Sequence, residues 1–290
     1  LRIFTSNRLA VFGMILITIF ALMALVHPLL LSTVWQRTVY HPETGYDVSV
    51  APWPADPSLA HPLGVDVLGR DILSMLMAAT RPTFVVAIFA AMTTAIVGTL
   101  LGSIMAYYKG VVDGFLSNFS NAVYLLPAPM IIVIIGARYY EQVDAMRFGL
   151  IYGLLVGCGS AAIVLRSHAL TLMNRGYIDA SRVAGAGAWQ IIMKHLVPHM
   201  LPLAAVHMMF SVVGVVVADG FIAFFGFRQI RLNWGAMVYN GIQFLTLNEK
   251  VPWLQIIAPT VALSLFAAAF YMIARGLQDV ADPRLRGTNR

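Results

Sequence analysis

The sequence predicts an all-α polytopic membrane protein, and three observations carry that prediction. Hydrophobic residues make up 59% of the chain and charged residues 11%, so it lacks the polar surface a soluble domain presents to water. Apolar runs recur at lengths near the roughly 20 residues that a helix needs to cross the hydrocarbon core. Polar stretches between the runs differ in charge, as cytoplasmic and external segments do under the positive-inside rule.

About six spans follow in chain order. The first is Leu9–Leu31. The chain begins at Leu1 rather than Met, and this run is long enough to span, unlike a short cleaved signal peptide. The next stretch, Ser32–Arg81, is the largest extramembrane piece, rich in Pro, Asp, His and Tyr. It is expected to fold irregularly, with one short helix over Arg70–Ala79. Within it lies HPLGVDVLGRDILS, His61 to Ser74. Gly64 and Gly69 permit turns there, and Asp66, Arg70 and Asp71 are placed to pair locally. The second span is Phe84–Tyr107, where Gly98 and Gly102 let another helix approach, from this chain or a second one. Tyr107-Tyr108-Lys109-Gly110, followed by Asp113, reads as a tight inner turn. The third span, Ala122–Gly136, is interrupted by Pro127 and Pro129. Freed backbone groups must then face protein or a cavity rather than lipid. The fourth is Phe148–Leu165.

The loop from Arg166 to His199 carries Arg166, Arg175, Arg182 and Lys194, too much charge for a bilayer crossing. Asn174 is the expected N-cap of a helix over Tyr177–Ala184. Gly185 and Gly187 then loosen the backbone, and Trp189–Val197 makes a second short helix that Pro198 ends or bends. Two short helices about a glycine hinge form a compact knob suited to docking. The fifth span, Leu201–Phe224, carries Asp219 near its outer end. An ionisable residue at membrane depth is costly, so Asp219 faces a water-filled pathway or pairs with a base such as Arg228 or Arg231. An outer loop with Trp234-Gly235 and Pro252-Trp253 precedes the last span, Leu254–Ala274, and its tryptophans are expected to anchor at headgroups.

Charge sets the orientation. With both termini inside, the cytoplasmic segments hold 11 basic residues and 4 acids, and the remaining, longer segments hold 8 and 9. N-in and C-in is the expected topology, which puts the Arg166–His199 loop in the cytoplasm. The expected divisions are a tail and first helix (1–31), an extracytoplasmic segment (32–81), a five-helix core (82–275) and a cytoplasmic tail (276–290).

Other chemistry finds little support. Cys158 is alone, so no internal disulfide forms, and the seven histidines show no ligand spacing; no metal site is expected. There is no G-x-x-x-x-G-K-[ST] phosphate loop, no H-E-x-x-H and no G-x-S-x-G, so neither ATP hydrolysis nor another catalytic centre is expected of this chain. The inside excess accounts for the basic balance without nucleic acid.

The His61–Ser74 run resembles the HPLGTDxLGRDxLS signature of the C-type permease subunit of dipeptide, oligopeptide and nickel ABC importers, with Val65 where Thr is usual. Asp179-Ala180-Ser181, Gly185, Ile192, His195 and Pro198 resemble the EAA loop of ABC permeases, with Asp179 where Glu, Ser181 where Ala and His199 where Asn is common. Asn7-Arg8-Leu9-Ala10, the WG loop and Asp282-Pro283-Arg284-Leu285-Arg286 extend the likeness over nearly the whole chain. The resemblance implies a permease subunit in a bacterial or archaeal cytoplasmic membrane, moving di- or oligopeptides by ATP-driven alternating access. It implies a coupling helix seated on an ATPase, an ordered outer lip from His61, Gly64, Asp66, Gly69, Arg70 and Asp71, and a pathway or outer gate near Asp219, Pro127 and Pro129. It implies as partners a second homologous permease, two ABC ATPases holding ATP and Mg, an extracytoplasmic substrate-binding protein and the lipid bilayer. Nickel uptake is the alternative within the family. An ion-coupled secondary transporter would favour several buried acids or paired broken helices, and a membrane scaffold would not need the docking loop.

Overall fold

A computed structural model describes residues 7–127, 144–224, 232–245 and 253–281, with Met130, Ile131, Ile134 and Arg138 as isolated positions. The elements, in order, are α1 (Arg8–Thr33), α2 (Arg37–Tyr40), α3 (Ile72–Tyr108), α4 (Gly110–Leu125), α5 (Ala145–Val156), α6 (Ala162–Met173), α7 (Gly176–Val183), α8 (Ala188–Ile191), α9 (Val197–Phe224), α10 (Trp234–Leu245) and α11 (Trp253–Ala281). Single π-helical turns join α5 to α6 (Gly157–Ala161) and α8 to α9 (Ile192–Leu196). No strand occurs among the described residues, and five helices, one of them kinked at Gly159, are long and apolar enough to cross a membrane. The all-α polytopic class is therefore seen directly. Of the third expected span, α4 supplies only the start, through Leu125, and most of the remainder, including Pro129, lies outside the described residues.

The central helix is α3. The expected short helix at Arg70–Ala79 and the second span are one element, which is capped by Asp71, begins at Ile72 and runs for 37 residues. It is about 55 Å long at 1.5 Å per residue. Pro82 lies inside it. Thr80 and Thr83 donate their hydroxyls to the carbonyls of Leu76 and Ala79 around it, at 3.1 and 2.9 Å. Every other long helix packs on α3.

The α5–α6 helix runs alongside α3 in the same direction. A Cβ at Gly153 would stand 2.6 Å from the Ala90 carbonyl oxygen, so only glycine allows that approach. Gly98 and Gly102 meet Ala161 and the Leu165–Arg166 backbone, so their partner is a helix of this chain. At the outer half, Trp234 packs with Phe20 of α1 and Phe266 of α11, at ring distances of 5.4 and 5.5 Å. Its indole N–H donates to the Leu76 carbonyl at 3.2 Å. Trp234 is thus buried in the core and is no headgroup anchor, whereas Trp253 is exposed. Burial of a large ring that also has a donor to satisfy explains why the WG pair turns inward.

Candidate functional site

Taking α3 as a ruler, the outer motif sits at its Asp71 end and the knob at its Tyr108 end. His61 is the hub of the outer motif. It is 1% exposed, and its ring nitrogens face Asp71 Oδ2 at 2.8 Å and Asp47 Oδ2 at 3.0 Å. When both carboxylates are ionised, both nitrogens must donate. Asp71 also caps α3, its other oxygen accepting from the Ser74 amide at 2.6 Å. Asp71 therefore pairs with His61, not with Arg70 as its position in sequence suggests. Arg70 pairs with Asp66, through Nε at 2.8 Å and Nη2 at 2.6 Å, and Asp66 accepts from the Leu68 and Arg70 amides as well. Gly64 and Gly69 take φ of +80° and +82°, which supplies the two turns. Burial pushes the Asp71 carboxyl up from its ordinary value, and hydrogen bonds from Ser49 and then His61 hold that of Asp47 below it. The result is a closed clasp that ties the external segment to the start of α3.

Asp219 lies close to the same level, because its neighbour α10 starts where Trp234 reaches Leu76. Asp219 is 6% exposed and its Oδ2 accepts from Asn233 Nδ2 at 3.0 Å. Asn233 in turn caps α10 through its Oδ1. The carboxylate thus sits at a helix N-terminus, which favours negative charge. Arg228 and Arg231, the partners suggested by sequence, lie outside the described residues. Pro127 follows the end of α4, whose Tyr124 backbone lies beside Gly159, level with residues 97–98 of α3. Asp219 and Pro127 are therefore at different heights.

The knob differs from its sequence reading in three ways. Asn174 ends α6, and α7 starts without a side-chain cap. Gly185 does not loosen the chain. It takes φ +85°, with its N–H on the Arg182 carbonyl and the Ala186 N–H on the Ser181 carbonyl, both at 3.0 Å. Those two bonds form a Schellman cap, which fixes the end of α7. The second helix begins at Ala188, passes through the π turn and continues through Pro198 and Pro202 to Phe224. The wide turn lies just before Pro198, where the ladder lacks a donor. Ile178, Ile191, Ile192 and Leu196 are buried in one cluster with Leu165 and Ala169 of α6, so the knob is rooted in the bundle. His195 faces the Ser181 hydroxyl at 3.3 Å and joins the two arms. Asp179, Ala180, Val183, Gly185, Trp189 and Pro198 are exposed. Arg182 lies 5.9 Å over the Tyr107 ring, placing the knob at the inner end of α3.

One feature near the knob is not evident from sequence. Asp113 of α4 and Arg166 of α6 form a bidentate pair, Nε to Oδ1 at 2.5 Å and Nη2 to Oδ2 at 2.6 Å. Their 53-residue separation hides it, although an acid just after the inner turn and a base ending a span were both visible. Among the described residues no group of three His, Cys, Asp or Glu is placed to hold a metal ion.

A helical bundle of this kind, with a clasp at one end and a capped, exposed knob at the other, has the architecture of a multi-pass membrane protein. The family is shown by sequence comparison: residues 98–287 match the binding-protein-dependent transport system inner membrane component family, and the chain belongs to it. Residues 1–42 match the N-terminal TM domain of oligopeptide transport permease C. The chain is 25% identical over 283 residues to a dipeptide transport system permease protein of Bacillus subtilis, covering 97% of this chain and 83% of that one. It is 28% identical over 289 residues to an oligopeptide transport system permease protein of Haemophilus influenzae, covering 98% and 88%. A glutathione transport system permease protein of Pectobacterium atrosepticum is 28% identical over 236 residues, covering 79% and 75%. The chain is a multi-pass protein of the cytoplasmic membrane and a permease component.

Proposed function

We propose that this chain is a permease subunit of an ABC importer that carries di- or oligopeptides inward by ATP-driven alternating access. The observation that carries the proposal is the knob, a rigidly capped helix rooted in the bundle core with an exposed face of Tyr177, Asp179, Ala180, Val183 and Trp189. Exposed apolar residues beside polar ones mark a protein-docking surface. The occupant is an ATPase subunit, in an assembly of a second homologous permease, two ATPases and an extracytoplasmic substrate-binding protein. ATP and Mg reside on the ATPases, and this chain performs no hydrolysis. Peptide cargo is supported by the dipeptide, oligopeptide and glutathione transport of the relatives. ATP shifts the bundle between its two states only through a difference in how the ATPases hold the knob in each. The knob must therefore stay attached while its angle changes, and a core-rooted helix meets that requirement. N-in, C-in topology places the clasp on the side where a binding protein delivers substrate.

The test is gentle purification from the native membrane, with identification of what accompanies the chain. A homologous permease and phosphate-loop ATPases, lost when Asp179 and Gly185 are both altered, support the proposal. A homo-oligomer free of any ATPase refutes it.

A further inference from the structure

The Asp113–Arg166 pair bridges α4 and α6. Helix α4 is joined to α3 by a tight joint with positive φ at Lys109 (+43°) and Gly110 (+59°). It buries one residue, Ser120, so packing holds it weakly. Helix α6 is joined to α5 by a π turn in which Gly159 leaves helical geometry, at φ −90° and ψ −108°. Such turns inside helices often mark functional sites. Below that turn α6 leads into α7 across Asn174 and Arg175 alone. Leu165, Ala169, Leu172 and Met173 share one buried cluster with Ile178. The lower part of α6 and the knob are therefore packed together, in a cluster that also takes in Ala106 of α3 and Met200 and Ala204 of α9.

Arg166 stands on α6 and grips α4 in its first turn. A two-point guanidinium–carboxylate contact fixes orientation as well as distance, which a lysine does not. Ser117 donates to Asp113 Oδ1 at 3.0 Å and holds the carboxylate in place. The side chains are 30% and 16% exposed, so screening by salt is weaker than for a surface pair. Hydrogen bonding from Arg166 holds the Asp113 carboxyl below its ordinary value.

We propose that Asp113 and Arg166 are positioning residues that transmit displacement of the knob to α4, so that this helix follows the ATPases. This rests on the coupling reading above. Helix α4 meets the helix that leads to the knob at this pair and, further along, where Tyr124 lies beside Gly159.

The experiment uses the complete complex with its partner ATPases in nanodiscs, in a Cys158→Ser background. Spin labels are placed at exposed positions, Phe115→Cys on α4, Val183→Cys on the knob and Ile88→Cys on α3, and distances are measured with and without ATP and Mg. In the parent complex the 88–183 distance changes by more than about 2 Å, the scale of helix shifts in such transitions, while the 115–183 distance stays constant. Arg166→Lys keeps the charge but loses the fork, and the 115–183 distance then changes with nucleotide. Exchanging the charges, Asp113→Arg with Arg166→Asp, restores a constant 115–183 distance, which loss of fold alone would not do. The exchange also keeps the test decisive where Arg166→Lys fails to assemble. A 115–183 distance that already varies in the parent, that stays constant in Arg166→Lys, or that varies in the charge exchange overturns the proposal. An 88–183 distance unmoved by nucleotide in an assembled parent complex instead overturns the coupling reading on which it rests.

Discussion

Replacing His61 with alanine tests whether the outer motif is a structural clasp. The ring sits between two carboxylates and is 1% exposed, as is the Asp71 side chain. Leaving a buried carboxylate short of a partner costs about 3–5 kcal/mol. Asp71 keeps its bond from the Ser74 amide, so the lower end of that range applies. The Asp47 arm is 17% exposed and adds only about 0–1 kcal/mol. A net cost of about 3–4 kcal/mol corresponds to roughly 10²–10³ in an opening equilibrium, at about 1.4 kcal/mol per factor of ten. The assay is amide hydrogen exchange at Ala55, Val65 and Asp66, whose N–H groups bond to the carbonyls of Val65, Ala55 and Arg70. Their exchange is expected to accelerate by that factor at neutral pH, with mid-α3 amides unchanged. Burial raises the Asp71 value, so at lower pH its carboxyl takes up a proton in the variant and the acceleration shrinks. Acceleration below about tenfold at neutral pH would refute the clasp, since a surface pair alone predicts that much or less.

Two further predictions concern packing and charge. Gly153→Ala sets a Cβ 2.6 Å from the Ala90 carbonyl and 2.7 Å from Thr93 Cβ, so it should lower stability by about 1–3 kcal/mol. Gly114→Ala meets nothing within 4 Å and should raise it by about 0.5–1 kcal/mol; thermal melts in nanodiscs must show opposite signs. Asp113 is held below its ordinary value, so its stabilisation is complete above the unfolded value of about 3.9 and is lost as pH falls through the lower folded one. The difference in melting temperature between the parent and Asp113→Asn should accordingly be full near pH 6 and close only in acid. A difference that grows in acid would contradict the assigned sign.

The class was legible because lipid imposes a simple rule: long apolar runs become helices, and their lengths are fixed by the bilayer. Helix ends were less legible. The stretch before Phe84 is as polar as a loop at Asp66–Asp71, yet Asp71 is a cap and α3 starts immediately after it. Pro198 reads as an end or a bend, but after a π turn the helix carries on through it. The motif residues His61, Asp66 and Arg70 stood out, whereas Asp47 did not, because its contact with His61 crosses 14 residues of irregular chain. The Trp234 position was misread because a tryptophan near a membrane boundary has two homes, headgroups or core. Only the partner rings, Phe20 and Phe266, decide between them.

In the proposed assembly the ATPase docks on the exposed face of the knob. Val183 is 90% exposed and sits in the last turn of α7, so a thiol there reports that face directly. In a Cys158→Ser background, Val183→Cys should react rapidly with a water-soluble maleimide in the isolated chain. It should be strongly protected in the complex with ATPase bound, while Leu59→Cys at the opposite end reacts equally in both. Equal labelling of Val183→Cys with and without bound ATPase would contradict the account.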